Sequence, residues 1–381
     1  MKKHYLLAPG PTPVPPETLL AMATPIIHHR SPQFAEVVAE CREGLKYLFQ
    51  TKQEVLILAS TGTGAMEGSI TNTMSPGDTA LVVRGGKFGE RWGEICQAYG
   101  VNVEAIDVAW GRAVKVDDIA ARLKANPNIK AVCLQAHETS TGVCHPVKEI
   151  AAITRNLPGT LLIVDAISAL GAFELPMDAW GIDIVVAGSQ KAMMLPPGLA
   201  FASLSDKAWE FTKTAKCSKY YFNFSKELKN IQKNTGAYTS AVSLVMGLRD
   251  VLRYFKETGL EKIFAEHKLM SKATKAAVQA LGLELFSKEG ASDALTAIMA
   301  PAGVNGQDVV KLLREKYGIM IAGGQAEAKG KIFRIAHMGY IGAFDIVMII
   351  AALEVVLNEL GYKAPYGAGV KAAEEVLFGG A

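Results

Sequence analysis

Short apolar runs separated by longer amphipathic stretches dominate the first two-thirds of this chain. The runs stand at 55–59, 79–83, 101–106, 131–135, 161–165, 182–187 and 199–204. Each has strand length, and most lack the polar alternation of a half-exposed strand, so both faces are expected to be buried. Helical periodicity separates most of them, at 32–49, 65–74, 116–126 and 147–155. Strands alternating with helices predict an α/β fold with a mostly parallel, seven-stranded sheet sandwiched by helices. Ahead of this pattern, the proline-rich segment 8–16 lacks donors and has fixed φ angles, so an extended arm is expected over residues 1–18. The pattern changes after a longer amphipathic helix at 241–256. Strand candidates then fall at 294–300, 320–322 and 332–335, with a helix at 344–360. We therefore expect a large domain over 19–258 and a smaller C-terminal α+β domain over 259–381.

Composition narrows the class without naming a chemistry. Half of the 381 residues are hydrophobic, enough for a large core. Net charge is +3, and no run of Lys and Arg suggests a nucleic-acid partner. The five cysteines are scattered and odd in number, without a CxxC pair, so neither a disulfide framework nor a metal site is expected. The most apolar stretch, 346–357, contains Glu354 and is too short to span a bilayer. Met1-Lys2-Lys3 leads into proline-rich sequence rather than an apolar signal core, so a cytoplasmic enzyme is expected.

The ends of two successive apolar runs carry the candidate chemistry. Asp165 closes one, and Lys191 follows the next within Gly188-Ser189-Gln190-Lys191. A lysine amine that forms a Schiff base, with an acid that keeps a pyridine nitrogen protonated, is the pair that pyridoxal 5'-phosphate chemistry needs. Each alone also has a plain role, as a solvated loop lysine or a helix cap. A phosphate site is the next requirement. Thr61, Gly62 and Thr63 follow an apolar run and open a helical pattern, where free amides and the helix dipole favour an anion. Gly62-Thr63-Gly64 also begins a dinucleotide fingerprint. Its third glycine position is Glu67, however, and the next strand candidate ends at Val83-Arg84, without an acid for a ribose. A purely structural turn stays open at this point.

Seven segments, in order, carry a resemblance. They are Gly10-Pro11-Thr12, Ser60-Thr-Gly-Thr-Gly-Ala-Met-Glu67, Lys87-Phe-Gly-Glu-Arg91, His137-Glu-Thr-Ser-Thr-Gly142, Val164-Asp-Ala-Ile-Ser-Ala-Leu-Gly171, Gly188-Ser-Gln-Lys191 and Phe333-Arg-Ile335. Over roughly residues 5–360 the chain resembles the class V aminotransferases, most closely their alanine–glyoxylate and serine–glyoxylate (serine–pyruvate) branch. The resemblance implies the fold-type I architecture of PLP-dependent transferases, a homodimer with shared active sites, and pyridoxal 5'-phosphate as cofactor. It implies Lys191 as Schiff-base lysine and proton shuttle, and Asp165 as partner of the ring nitrogen. Ile167 and Phe88 would flank the two ring faces, although relatives often carry Trp at the latter position. Thr139 would lie near the ring oxygen and the substrate. Gln190 would join Thr61, Gly62 and Thr63 around the phosphate, and Gly10 would let backbone approach the substrate. Arg334 would grip the α-carboxylate with a two-pronged hydrogen bond. Thr239 would reach the partner subunit's phosphate, while Tyr238 departs from the family's spacing for an accompanying tyrosine.

The implied reaction moves an amino group from a small amino acid, alanine or serine, to glyoxylate or pyruvate by a ping-pong mechanism. A class V transaminase with aspartate or an aminophosphonate as donor is the nearest alternative. A cysteine desulfurase would need a nucleophilic cysteine near the small-domain loop, yet 319–331 has none and the last cysteine is Cys217. A non-catalytic interaction subunit is the remaining reading.

Overall fold

The computed structural model describes residues 3–379, so the extreme ends of the expected arm and C-terminal domain (1–2 and 380–381) lie outside it. A short strand β1 (Tyr5–Leu6) and helices α1 (Pro16–Met22) and α2 (Pro32–Phe49) come first. The alternating region follows: β2 (Val55–Ser60), α3 (Gly62–Thr73), β3 (Thr79–Arg84), α4 (Lys87–Ala98), β4 (Asn102–Asp107), α5 (Val116–Ala125) and β5 (Ile129–Gln135). A two-stranded turn, β6 (His137–Glu138) with β7 (Val143–Cys144), leads to α6 (Val147–Thr154) and β8 (Leu161–Asp165). Then come α7 (Met177–Trp180), β9 (Ile184–Gly188) and β10 (Gly198–Leu204).

The main sheet has seven strands in the order β2-β10-β9-β8-β5-β3-β4. Only β10 runs antiparallel to its neighbours, which makes the sheet mostly parallel, as the alternation predicts. Strands β8 and β9 are buried at every position, which is why they read as unbroken apolar runs. One consequence matters for function. The loops leaving the carboxyl ends of β2, β3, β5, β8 and β9 share one edge of the sheet, the edge where open α/β sheets bind ligands.

Beyond β10 lie α8 (Asp206–Thr212), α9 (Phe224–Ile231), α10 (Val242–Thr258) and α11 (Leu260–Ala280). A three-stranded antiparallel sheet is formed by β11 (Leu295–Met299), β13 (Ala322–Gly323) and β14 (Ile332–Ala336), with α12 (Gly306–Leu312) and β12 (Ile319–Met320) between the first two. Helices α13 (Ala343–Glu359) and α14 (Ala368–Phe378) complete the chain. A large apolar core spans Phe34 to Ile263. A second gathers Leu7 with Met270, Phe333, Ile350 and Leu353.

The arm departs from expectation in two ways. Tyr5 and Leu6 pair in parallel with Ile319 and Met320, so the N-terminus is stitched to the second core rather than lying free. The extended segment also ends earlier than residue 18, because Pro16 begins α1. Proline is tolerated in a first helical turn, where its missing N–H has no partner to lose. The single expected strand at 320–322 is two strands, β12 and β13, each joining a different sheet.

Candidate active site

Lys191 lies in the turn after β9, with its backbone held from two sides. Its carbonyl accepts from the Thr12 hydroxyl at 2.7 Å and from the Met194 amide at 2.9 Å. Its amine donates to the Pro9 carbonyl at 2.6 Å. Gly10 next to it is required for a physical reason: at φ +142° any added Cβ would lie 2.1 Å from the lysine nitrogen. Burial pushes the amine down to about 8, so a neutral fraction exists near neutral pH.

Asp165 ends β8 beside it and accepts from the Ile167 amide at 2.8 Å. Burial, reinforced by the charge of Glu138, pushes this carboxyl up to about 7. Lys191 and Asp165 feel each other's charge, yet the Lys191 amine bonds the Pro9 carbonyl and forms no ion pair with Asp165. Two complementary groups are thus buried near one another without touching. A bound group with a carbonyl at one end and a protonated ring nitrogen at the other would satisfy both.

Gly62 opens α3, and no side chain caps that helix. A Cβ at Gly62 would strike the Ile167 side chain at 2.3 Å, so only glycine lets this helix start so near Ile167. Gln190 points its oxygen into the same corner. An ideal Cβ on Gly188 would lie 3.0 Å from Gln190 Oε1 and 3.5 Å from the Gly62 amide nitrogen, and that oxygen is buried without a partner. Arg91 adds a cation, donating to Thr63 Oγ1 at 3.1 Å while its guanidinium lies 4.9 Å from the Phe88 ring centre. Open amides, a hydroxyl and a guanidinium together suit a phosphate. Thr61 is exposed at the rim of this cup.

Arg334 lies within β14, and it is 4 % exposed. Nη1 donates to the Thr139 carbonyl at 2.6 Å, while Nε and Nη2 donate to the Gly323 carbonyl at 3.1 and 2.7 Å. Three of its five N–H groups are thereby used, which leaves one on each terminal nitrogen. No carboxylate contacts it, and burial pulls its pKa down to about 10. A buried fork with two free prongs and no counter-ion is suited to a carboxylate from solution.

Glu138 received no role from the sequence, yet it organises this end of the site. Its buried carboxylate accepts from the amides of Phe88 (3.1 Å), Gly89 (2.9 Å) and Ser140 (3.1 Å) and from Ser140 Oγ (2.5 Å). Burial pushes its pKa up, and these donors on both oxygens oppose that. One anion thus fixes the start of α4, which carries Phe88, against the turn that carries Thr139. No local signal marks it in the sequence, because its amide partners at Phe88 and Gly89 stand about fifty residues away.

Tyr238 and Thr239 are not brought into this group. Tyr238 stacks on Tyr221 at 4.9 Å and donates to the Tyr220 carbonyl at 2.7 Å, and Thr239 is exposed.

The sequence profile of the family described as Aminotransferase class-V matches residues 4–342. The chain belongs to the class V aminotransferases. It is therefore a transaminase, and among the described residues no helix is long and apolar enough to cross a membrane. This aminotransferase is 46 % identical to a protein of Synechococcus sp. named soluble hydrogenase, small subunit, covering 98 % of each chain. It is 38 % identical to the L-aspartate–glyoxylate aminotransferase of Paracoccus denitrificans, over 98 % of this chain and 96 % of that one. The solved ureidoglycine–glyoxylate aminotransferase of Bacillus subtilis superposes with a TM-score of 0.93 at 30 % identity, covering 99 % of this chain and 98 % of that one. Pyridoxal 5'-phosphate is the cofactor of this family, and the open α3 terminus, the Arg91 guanidinium beside it and the separated Lys191 and Asp165 fit it.

Proposed function

We propose that this aminotransferase takes the amino group of a small uncharged amino acid, alanine or serine, and gives it to a 2-oxo acid, glyoxylate or pyruvate, in two half-reactions. The observation that carries the reading is the buried Arg334 fork with two free N–H groups, on the same edge of the fold as the Lys191 amine. Bound pyridoxal 5'-phosphate supplies a carbonyl for the donor's amino group and a protonated ring that stabilises charge developing at the donor's Cα. Lys191 would carry it, Asp165 would face its ring nitrogen, and Gln190 with the α3 amides would hold its phosphate. Phe88 and Ile167 would border the ring.

The protein's own part is binding, orientation and proton transfer. Arg334 binds the carboxylate through its two prongs and so fixes which bond at Cα faces Lys191. The Lys191 amine, with its pKa drawn toward neutrality, can take that proton and return it elsewhere. Gly10 leaves the space in which the amine must swing.

A small neutral donor is favoured because the second cation, Arg91, stands at the phosphate cup beside Thr63 and would be taken up by the cofactor's phosphate rather than by a side-chain carboxylate. The aspartate–glyoxylate relative favours aspartate as a second reading. Glyoxylate is the acceptor named for both the Paracoccus and the Bacillus proteins, which supports it here. The exposed Thr239 is free to serve a partner's site in a homodimer. The test is a panel of half-reactions, in which the purified holoenzyme meets alanine, serine, aspartate and glutamate one at a time, followed by the change in its visible spectrum. Alanine or serine is expected to react fastest; a preference for aspartate selects the second reading, and no reaction with any overturns both.

A further inference from the structure

Behind Thr139 stands a chain of buried polar side chains that the transamination chemistry does not use. Thr139 Oγ1 lies 2.6 Å from Ser168 Oγ, and Ser168 Oγ lies 3.0 Å from His137 Nδ1. All three residues are buried, at 5 %, 3 % and 2 % exposure. His137 Nε2 has no partner at all. We propose that His137 and Ser168 act as positioning residues that make the Thr139 hydroxyl a hydrogen-bond donor to an anionic oxygen of the bound ligand. The proposal rests on the functional reading above only for the identity of that ligand.

The direction of the chain follows from where hydrogens can reside. Burial pulls the His137 pKa down to about 3, so the ring carries one hydrogen. On Nε2 that hydrogen would be a buried donor without an acceptor, which costs more than a bare lone pair. The second neighbour of Nδ1 is the Ser168 carbonyl at 3.4 Å, which can only accept. The hydrogen therefore belongs on Nδ1, and it donates to Ser168. Ser168 has two neighbours for its own hydrogen, Thr139 Oγ1 at 2.6 Å and the His137 carbonyl at 3.4 Å. The first lies in the normal range for hydroxyl donors and the second outside it. A hydroxyl that accepts from one group also donates more strongly to the next. Thr139 then accepts from Ser168, and its own hydrogen has no protein acceptor among the described residues. Because the Thr139 carbonyl also holds Arg334, this hydrogen is presented beside the carboxylate fork.

Two measurements test this. Nitrogen NMR of the histidine rings in cofactor-free enzyme, with His137 assigned by comparison with H137F, should show Nδ1 protonated and Nε2 bare. A protonated Nε2 overturns the proposal. The second is a coupling experiment on the dissociation constant of pyridoxal 5'-phosphate. T139V should weaken binding roughly tenfold, the effect of losing one hydrogen bond to a charged oxygen, while T139S retains it. S168A and H137F should each weaken binding when Thr139 is present and change it less than twofold when T139V is already in place. Additive losses would mean that the two residues act only on packing, and would also overturn the proposal. S168A removes one oxygen, so it keeps the test decisive should H137F fold poorly. If unaltered protein fails to bind pyridoxal 5'-phosphate, the functional reading fails, while the ring tautomer still decides this inference.

Discussion

Two buried charges decide the behaviour of single residues at this site, and each gives a measurable effect. Arg334 has no counter-ion, so its fork is held for an incoming carboxylate by the Thr139 and Gly323 carbonyls. Lys in its place keeps the charge but loses the two parallel bonds. Steady-state kinetics of R334K should show KM for the amino donor raised roughly tenfold to a hundredfold, as for a lost charge-assisted bond. Asp165 offers a test through pH. Its carboxyl is raised from the ordinary 3.8 to about 7 by burial, so the folded protein holds this proton more tightly than the unfolded chain. Stability that Asp165 contributes when protonated is present below pH 4 and lost as pH rises through about 7. Cofactor-free D165N, which cannot ionise, should therefore gain stability over the unaltered protein between pH 5 and pH 8. Denaturant unfolding should show a gain of at most ~4 kcal/mol. Lys191, Asp165 and Arg334 were legible in the sequence because each is a charged residue beside or within an apolar run. Glu138, Ser168 and the Pro9 carbonyl were not, because their partners are distant in sequence. A carboxylate that collects amides from residues 88 and 89 leaves no local pattern.

Elements were read well where their physics is local. Helix α2 runs from Pro32 to Phe49 as its periodicity indicates, with Ser31 accepting from the Phe34 amide as N-cap. The fully buried strands β8 and β9 were visible as apolar runs. Strand β1 was not, because two residues carry no periodicity and the pairing with β12 is set by tertiary contact. Elements also depend on single side chains here. Helix α4 begins at Lys87 without a side-chain cap from its own first residue, and Glu138 supplies the acceptor for the Phe88 and Gly89 amides instead. Gln at 138 offers one acceptor oxygen and one NH2 in place of two acceptors, so at least one of the Phe88, Gly89 and Ser140 amides is left without an acceptor. E138Q should lower unfolding free energy by roughly 2–3 kcal/mol, measured by chemical denaturation. It should also disturb binding at Phe88 without touching Lys191.

At the scale of the whole molecule, the N-terminal segment connects the second core to the candidate site at Lys191. Leu7 is packed in the second core, Pro9 receives the Lys191 amine, and Thr12 holds the Lys191 carbonyl. Removal of residues 1–9 should therefore lower pyridoxal 5'-phosphate affinity and midpoint temperature together, read by spectral titration and calorimetry. A drop in stability alone would limit the segment to a structural role. The central claim concerns one amine. Borohydride reduction of the enzyme incubated with pyridoxal 5'-phosphate, followed by peptide mapping, is predicted to place the reduced label on the peptide that contains Lys191 and nowhere else. A label on another lysine, or none at all, would contradict the account.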